Sequence, residues 1–340
     1  MMYLNLTIPR SWRECTTDQL ESIASVIQDQ IANQSRYRPF SMYNVKLALF
    51  FIFTGIQITK RPDTSLPVQE QYYTCRLGTS EPFRLYLWQI HGWLAPKATP
   101  KTKDIDRLSC GNGCLDWLDD DKGPTIATFP YDKWRCKIRT FLPSWKEFQG
   151  PADDLDGFSW EQYRYASDTM QSHIKLSNSL VIMQNSRKYS EEDLGKQKNS
   201  VDTARSMFLA TIFNAKVSWR DPLSRRKVEG FRYESGQTEK NMPYFKDFPD
   251  VKWQVVLFWW TSMTYRLSVR YPHVFKRQPV TRNAKVASPL EVYTATVATM
   301  QKYVGLTEEQ VNSQTYSLVL EHLERMAKEN EELEKIRRKK

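Results

Sequence analysis

The stretch Tyr316-Ser-Leu-Val319-Leu-Glu-His-Leu323-Glu-Arg-Met326-Ala-Lys-Glu-Asn330-Glu-Glu-Leu333-Glu-Lys-Ile336 decides the broad reading of this sequence. Tyr316, Val319, Leu323, Met326, Asn330 and Leu333 recur at steps of three and four, and most residues between them are Glu, Lys or Arg. That period lays one apolar stripe along an α-helix. It also matches a short heptad seam, with Asn330 at a core position where a lone Asn fixes register. Two readings stay open: the seam meets a partner, or the helix docks on its own domain and frays into solvent.

Similar signals recur upstream. Thr16-x-x-Gln19 is a capping box ahead of Leu20, Ile23, Ala24, Ile27 and Ile31. Pro39 and Ser41 introduce a helix that is apolar nearly all round through Leu47, Phe50, Phe51 and Phe53, ends near Gly55 and is therefore expected to be buried. Ser159-x-x-Gln162 opens a helix with Tyr163, Ala166, Met170, Ile174 and Val181 on one side. Asp250 starts another that runs to about Tyr271, before Pro272. Ser288-Pro289-x-Glu291 and Thr307-x-x-Gln310 open two more, with Gly305 between them.

The expected fold is thus mainly α: a multi-helix body, a small irregular β-containing insertion and a C-terminal amphipathic helix. Residues 1–56 form an N-terminal arm, with a short strand over Tyr3–Ile8, and two helices. Residues 57–148 read as an irregular segment with short strands such as Gln71–Arg76 and Phe83–Ile90. Residues 149–184 carry a helix. Residues 185–202, rich in Lys, Ser, Glu and Asn with Gly195 inside, read as a polar loop or linker. Residues 203–340 form a C-terminal helical region, with a helix over 203–217 and a turn-rich stretch around Pro222, Gly230, Gly236 and Pro243.

Composition narrows the class. Hydrophobic residues at 40% and charged residues at 26% of 340 exclude disorder along the whole chain. Eleven tryptophans are a surplus that suits a demanding core, an interface or both. The net charge of +10 favours acidic partners: nucleic acid, an anionic membrane surface or an acidic protein face. Five scattered cysteines and the lack of a signal-like apolar start point to reduced thiols in a cytoplasm. The most apolar stretch, Val45–Ile58, is shorter than the roughly 20 residues that cross a bilayer.

No catalytic motif is present. The sequence has no phosphate-binding loop, no dinucleotide fingerprint, no nucleophile elbow and no H-E-x-x-H. His91, His173, His273 and His322 sit in no recognisable constellation, so neither enzymatic activity nor a cofactor is expected. Cys110 and Cys114, with Cys136, Cys75 and His91 as further ligands, are the nearest approach to a zinc site, but C-x₃-C is not a paired C-x₂-C. Asp116, Asp119, Asp120 and Asp121 lack calcium-loop spacing and read as a solvated turn.

Charge gives a sharper signal. Between Asp250 and Glu291 the only charged side chains are Lys252, Arg266, Arg270, Lys276, Arg277, Arg282 and Lys285, with Tyr265, Tyr271 and Phe275 interleaved. Such a stripe suits an acidic protein groove, or phosphates with bases stacked on the aromatics. The plainer alternative is a helix face whose acidic partners lie elsewhere in the fold.

Two stretches carry a resemblance. Leu6-Thr-Ile-Pro-Arg-Ser-Trp12-Arg-Glu-Cys-Thr-Thr-Asp-Gln19-Leu20 looks like a "P-x-S-W-x-x-L-T-x-x-Q-L" opening, with Cys15 where the pattern has Leu. Gln149-Gly-Pro151-Ala-Asp153-Asp-Leu155-Asp-Gly-Phe158-Ser-Trp-Glu-Gln-Tyr163 looks like a "G-P-x-D-x-L-x-x-[LF]-x-[FW]" helix start. Both are similar to proteins of phages and prophages of Bacteroides-type gut bacteria. The region from Leu290 to Lys340 resembles small helical proteins encoded beside tail tape-measure genes, either tail-assembly chaperones or minor tail components.

The resemblance implies a virion morphogenesis role in the bacterial host cytoplasm, with retention in the particle left open. The implied partners are other phage structural proteins of the tail or connector; assembly into a homo-oligomer is compatible with it, and no membrane is involved. It supplies no active-site residue. The contacts then fall to the terminal seam and the basic stretch. The alternatives are a basic nucleic-acid-binding protein and an enzyme supported by zinc at Cys110, Cys114 and Cys136.

Overall fold

A computed structural model describes residues 8–35, 39–94, 113–119, 123–138, 144–186, 188–220, 225–234, 236–275 and 289–339. Among them are ten α-helices and two small antiparallel sheets, so the chain is mainly α with β insertions. In chain order, α1 (Thr17–Ala32) and α2 (Met42–Thr54) precede β1 (Ile56–Lys60), β2 (Tyr72–Leu77), β3 (Phe83–Tyr86) and α3 (Leu87–Leu94). Next come β4 (Lys133–Ile138), β5 (Ser144–Gln149) and the long pair α4 (Trp160–Gln184) and α5 (Glu191–Ile212). β6 (Asn214–Arg220), β7 (Lys227–Arg232) and α6 (Gln237–Asn241) lead to α7 (Asp250–Arg270), and α8 (Pro289–Val304), α9 (Glu308–Ser313) and α10 (Tyr316–Lys339) follow. No helix among the described residues is long and apolar enough to cross a membrane. The strand expected over Tyr3–Ile8 lies, apart from Ile8, outside the described residues.

The chain divides into two compact units, each built from separate stretches. Unit 1 is Met1–Pro130 with Pro249–Met263, and unit 2 is Tyr131–Phe248 with Thr264–Lys340.

In unit 1, Thr16 caps α1 through the complete box: its Oγ1 accepts from Gln19 N at 3.3 Å, and its own N–H donates to Gln19 Oε1 at 2.9 Å. Leu20, Ile23 and Ala24 then face inward. Helix α2 starts at the Ser41 cap and stops at Gly55, whose φ of 66° favours a residue without a side chain. Its expected burial all round is corrected: Val45, Leu49 and Phe50 are buried, but Ile52 is 48% exposed, because one core meets one face of the helix. The buried face also holds Lys46, whose Nζ lies 2.8 Å from Asp116 and 2.6 Å from Asp119. Those two aspartates are therefore the counter-ions of a buried ammonium, while their own side chains stay about half exposed, as a solvated turn requires. Aromatic rings close the unit. Trp12 meets Trp117 edge-on at 5.1 Å and Phe258 at 5.5 Å, and Phe129 meets Trp259 at 4.6 Å.

Residues 57–148 do not form one insertion. The sheet β1-β2-β3 belongs to unit 1, whereas β4 and β5 join β6 and β7 in the four-stranded sheet of unit 2. β6 overturns the expected helix over 203–217. After Ile212, Phe213 is extended, and Ala215, Val217 and Trp219 alternate with Lys216, Ser218 and Arg220, a period of two. The turn-rich stretch beyond supplies β7, where Gly230 pairs with Val217. A Cβ at Gly230 would stand 2.9 Å from the Trp219 ring, so the bare backbone there makes room for the indole.

The core of unit 2 is phenylalanine-rich: Phe148, Phe158, Phe208, Phe213 and Phe245 are all under 2% exposed. Ser159 caps α4, accepting from Gln162 N at 3.1 Å. The Gln162 side chain does not fold back to complete a box. It donates to the Thr211 carbonyl at 2.9 Å and to Asn214 Oδ1 at 3.0 Å, tying the start of α4 to the end of α5.

The linker expected over 185–202 is corrected: helix α5 occupies it from Glu191. Ser190 and Asp193 form a capping box, Glu191, Glu192 and Asp193 suit the positive end of the helix dipole, and Lys196 pairs with Glu192 at 2.6 Å. No apolar stripe announced this helix, because its first half packs mainly through polar groups. Gln197 donates to the Leu176 carbonyl at 2.9 Å and His173 Nδ1 to the Val201 carbonyl at 3.3 Å. No described residue from Ile174 to Thr203 is buried. Ile174 and Val181, expected to share a core face with Tyr163 and Met170, are 50% and 54% exposed.

Helix α10 docks by its first turns. Tyr316, Val319, Leu320 and Met326 are buried, and Tyr316 stacks on Tyr163 at 5.2 Å. The Tyr316 hydroxyl donates to the carbonyl of Asp154, which with Leu155 adopts positive φ, 53° and 59°. Arg266 holds the Asp154 carboxylate at 2.7 Å, so the strained turn that opens α4 is fastened on two sides.

Candidate functional site

The terminal seam divides at Met326. Tyr316, Val319 and Met326 are spent inside unit 2, and Leu323 is half-buried. Asn330 is exposed, and Leu333 and Ile336 are 54% and 55% exposed. The surface that the sequence assigned to the whole seam is thus confined to the last turns, and Asn330 lies exposed there rather than at a core position among the described residues.

The basic stripe is largely neutralised where it is described. Lys252 lies 3.5 Å from Glu21, Arg266 2.7 Å from Asp154 and Arg270 3.4 Å from Glu321. Acidic partners supplied by other parts of the fold were the plainer reading. Lys276, Arg277, Arg282 and Lys285 lie outside the described residues. Of the interleaved aromatics, Tyr271 is buried, while Tyr265 and Phe275 are 38% and 36% exposed.

After α7, Glu324 accepts from the His273 ring at 2.5 Å and from the His273 and Val274 N–H groups, each at 3.0 Å. Burial pushes the Glu324 carboxyl up, but these donors outweigh it and hold it below the usual glutamate range. A depressed folded pKa contributes stability above the unfolded pKa and loses it as pH falls through the folded one. The stability gap between the native chain and Glu324→Gln should therefore shrink steadily below about pH 4.3. Urea midpoints of both proteins at several acid pH values check this; a gap independent of pH would contradict it.

A polar cleft of about 780 Å³ opens in unit 2. Gly157, Ser159 and Glu161 line it from the opening of α4, Arg232, Tyr233 and Glu234 from the end of β7, and Glu308, Glu309 and Asn312 from α9. Four carboxylates against one guanidinium make its lining electronegative and rich in acceptors. Burial, and after it the Glu161 charge, pushes the Tyr233 phenol up to about 12, so it stays a donor at neutral pH. Beside the cleft, the Tyr293 hydroxyl donates to Glu308 at 2.5 Å while the Arg164 guanidinium covers its ring at 4.2 Å. The sequence hid this site: Glu161, Glu308 and Glu309 stand where acids ordinarily complement a helix N-terminus.

No family model, curated protein or solved structure matches this chain.

The zinc candidates are scattered. Cys114 and His91 belong to unit 1 and Cys136 to unit 2, and Cys110 lies outside the described residues. His91 stacks on Tyr43 at 4.6 Å. Burial, then Asp116, pushes the Cys114 thiol up to about 11, and burial also raises Cys136, whose Sγ donates to the Lys146 carbonyl at 3.7 Å. Among the described residues, no three His, Cys, Asp or Glu side chains gather as a metal site.

Proposed function

We propose that this chain is a phage virion morphogenesis protein, a structural or chaperone-like component of the tail or neck that acts through protein–protein contacts. The observation that carries the reading is the division of α10: a docked first half, and final turns that leave Leu333 and Ile336 more than half exposed on a charged helix. A helix anchored at one end and bearing apolar side chains at the other is suited to lie in a partner's groove. The resemblance of the two quoted stretches to phage proteins supplies the setting. In this chain those stretches do structural work: Trp12 is buried, and Asp153–Ser159 shapes the turn and cap that open α4. The nucleic-acid alternative loses support from the carboxylates beside Lys252, Arg266 and Arg270.

The test is a chain ended after Ala327. It keeps every residue of α10 described as buried, so its stability should stay within about 0.5 kcal/mol of the full chain. Affinity capture from cells assembling the phage should recover tail or neck proteins with the full chain and lose them with the shortened one. Recovery of none by the full chain would end the virion reading. Equal recovery by both would remove α10 from the contact. A cut at residue 315 cannot serve, because it takes Tyr316, Val319, Leu320 and Met326 out of the core.

A further inference from the structure

The end of α10 carries a pattern that the functional reading does not use. From Glu329 to Glu334 the charged residues are all acidic (Glu329, Glu331, Glu332, Glu334), and from Lys335 to Lys340 they are all basic (Lys335, Arg337, Arg338, Lys339, Lys340). Leu333 and Ile336 flank the boundary, three residues apart and so on one face of the helix, and both are exposed. Beyond Met326 no described residue of α10 is buried, which leaves about 20 Å of helix at the surface at 1.5 Å per residue.

We infer that this segment pairs antiparallel with the same segment of a second copy of the chain. Turning one helix end over end about the boundary between Glu334 and Lys335 brings its acidic half beside the basic half of the other. The same operation places Leu333 against Ile336 of the second copy, and Ile336 against Leu333. A parallel pairing in register would set like charge on like charge. The pattern is therefore self-complementary under a two-fold axis, the symmetry of an isologous dimer. A preference of cations for the helix C-terminus accounts for the basic half but not for the acidic block before it. Pairs within one helix, such as Glu331 with Lys335, are the competing explanation, and the experiment separates the two.

So short a helix buries well under the roughly 800 Å² per partner of a standard interface. The contact is accordingly weak alone and sensitive to salt, and it gains strength where copies are already concentrated in an assembly. It rests on the reading that the end of α10 is a contact surface, and it names the occupant.

Sedimentation velocity on the full chain, over about 1–200 µM, tests it. Reversible self-association is expected at about 50 mM salt, weakened about tenfold or more at about 500 mM. An acid-reversed variant (Glu329, Glu332 and Glu334→Lys) and a base-reversed variant (Lys335, Arg337 and Arg338→Glu) should each stay monomeric. An equimolar mixture of the two should associate again. Mixing cannot repair ion pairs within either helix, so recovery assigns the charges to the contact between copies. A full chain that stays monomeric at low salt, or single variants that associate like the native chain, would overturn the inference. Association without capture of tail proteins would leave it standing and remove the virion reading; the reverse result would do the opposite.

Discussion

Replacing Trp259 by alanine is expected to destabilise the chain by about 3–5 kcal/mol, the range for truncating a buried aromatic. Trp259 is fully buried in α7, and its ring meets Phe129 at 4.6 Å and Trp260 at 5.9 Å. The alanine variant loses the burial of the indole and leaves a space that a helix packed on this side cannot readily close. Trp259→Phe should cost far less. It keeps most of the apolar surface and removes an indole N–H that has no hydrogen-bond partner among the described residues. Urea denaturation of the two variants beside the native chain measures both costs. A loss below about 1 kcal/mol for the alanine variant would mean that the site collapses freely or is not packed as described.

The second large effect concerns Lys46. Its side chain is 5% exposed, between Asp116 at 2.8 Å and Asp119 at 2.6 Å. Burial pushes the ammonium down, but the two carboxylates outweigh it and hold its pKa above the ordinary lysine value. Removing both charges with Asp116→Asn and Asp119→Asn leaves a buried cation without compensation. That costs about 3–5 kcal/mol for a fully buried pair. The aspartates are about half exposed, 49% and 48%, so solvent screening brings the expectation to about 2–3 kcal/mol. Lys46→Met removes the charge and its desolvation together and should cost much less. The pH dependence carries a sign. With its partners present the raised pKa gives full stability below the unfolded lysine value and loses it as pH rises through the folded one. In the double variant burial acts alone, the folded pKa falls, and stability should instead improve as pH rises toward that of an unpaired lysine. Melting curves of all three proteins at neutral and mildly alkaline pH distinguish these slopes.

Sequence reasoning located helices where a capping residue stands at the right distance before a helix-forming run. Thr16 before α1, Ser41 before α2, Ser159 before α4 and Thr307 before α9 all cap as their spacing suggests. It failed where a helix buries little: α5 has a box at Ser190 and Asp193 but no apolar stripe in its first half, so composition alone made it a linker. It failed again at Phe213, where a change of period from 3.6 to 2 was legible in Ala215, Val217 and Trp219 but was absorbed into the preceding helix. The pairing of β4 and β5 with strands downstream of two long helices has no local signature at all.

The candidate surfaces were harder to read, because charge and aromatic content do not reveal what they face. Of the eleven tryptophans five are buried and five half-buried, leaving only Trp145, at 63%, on the outside. The surplus thus went mostly into packing, the core use among those that the composition left open. Lys252, Arg266 and Arg270 looked free of acids along the chain and meet them in space. The lining of the cleft around Glu161, Tyr233 and Glu309 is assembled from three remote stretches, each unremarkable alone.

The interleaving of the two units bears on how the chain leaves the ribosome. Trp259 and Phe258, which pack on Phe129 and Trp12, are made only after the whole of Tyr131–Phe248 has been synthesised. At about 5–20 residues per second, that leaves the first segment of unit 1 waiting for roughly 6–24 s with its aromatic side chains uncovered. The second unit waits for Tyr316 in turn, so neither half can finish while the nascent chain is short. Such a delay keeps apolar surface exposed on the growing chain, the situation in which a holding chaperone acts.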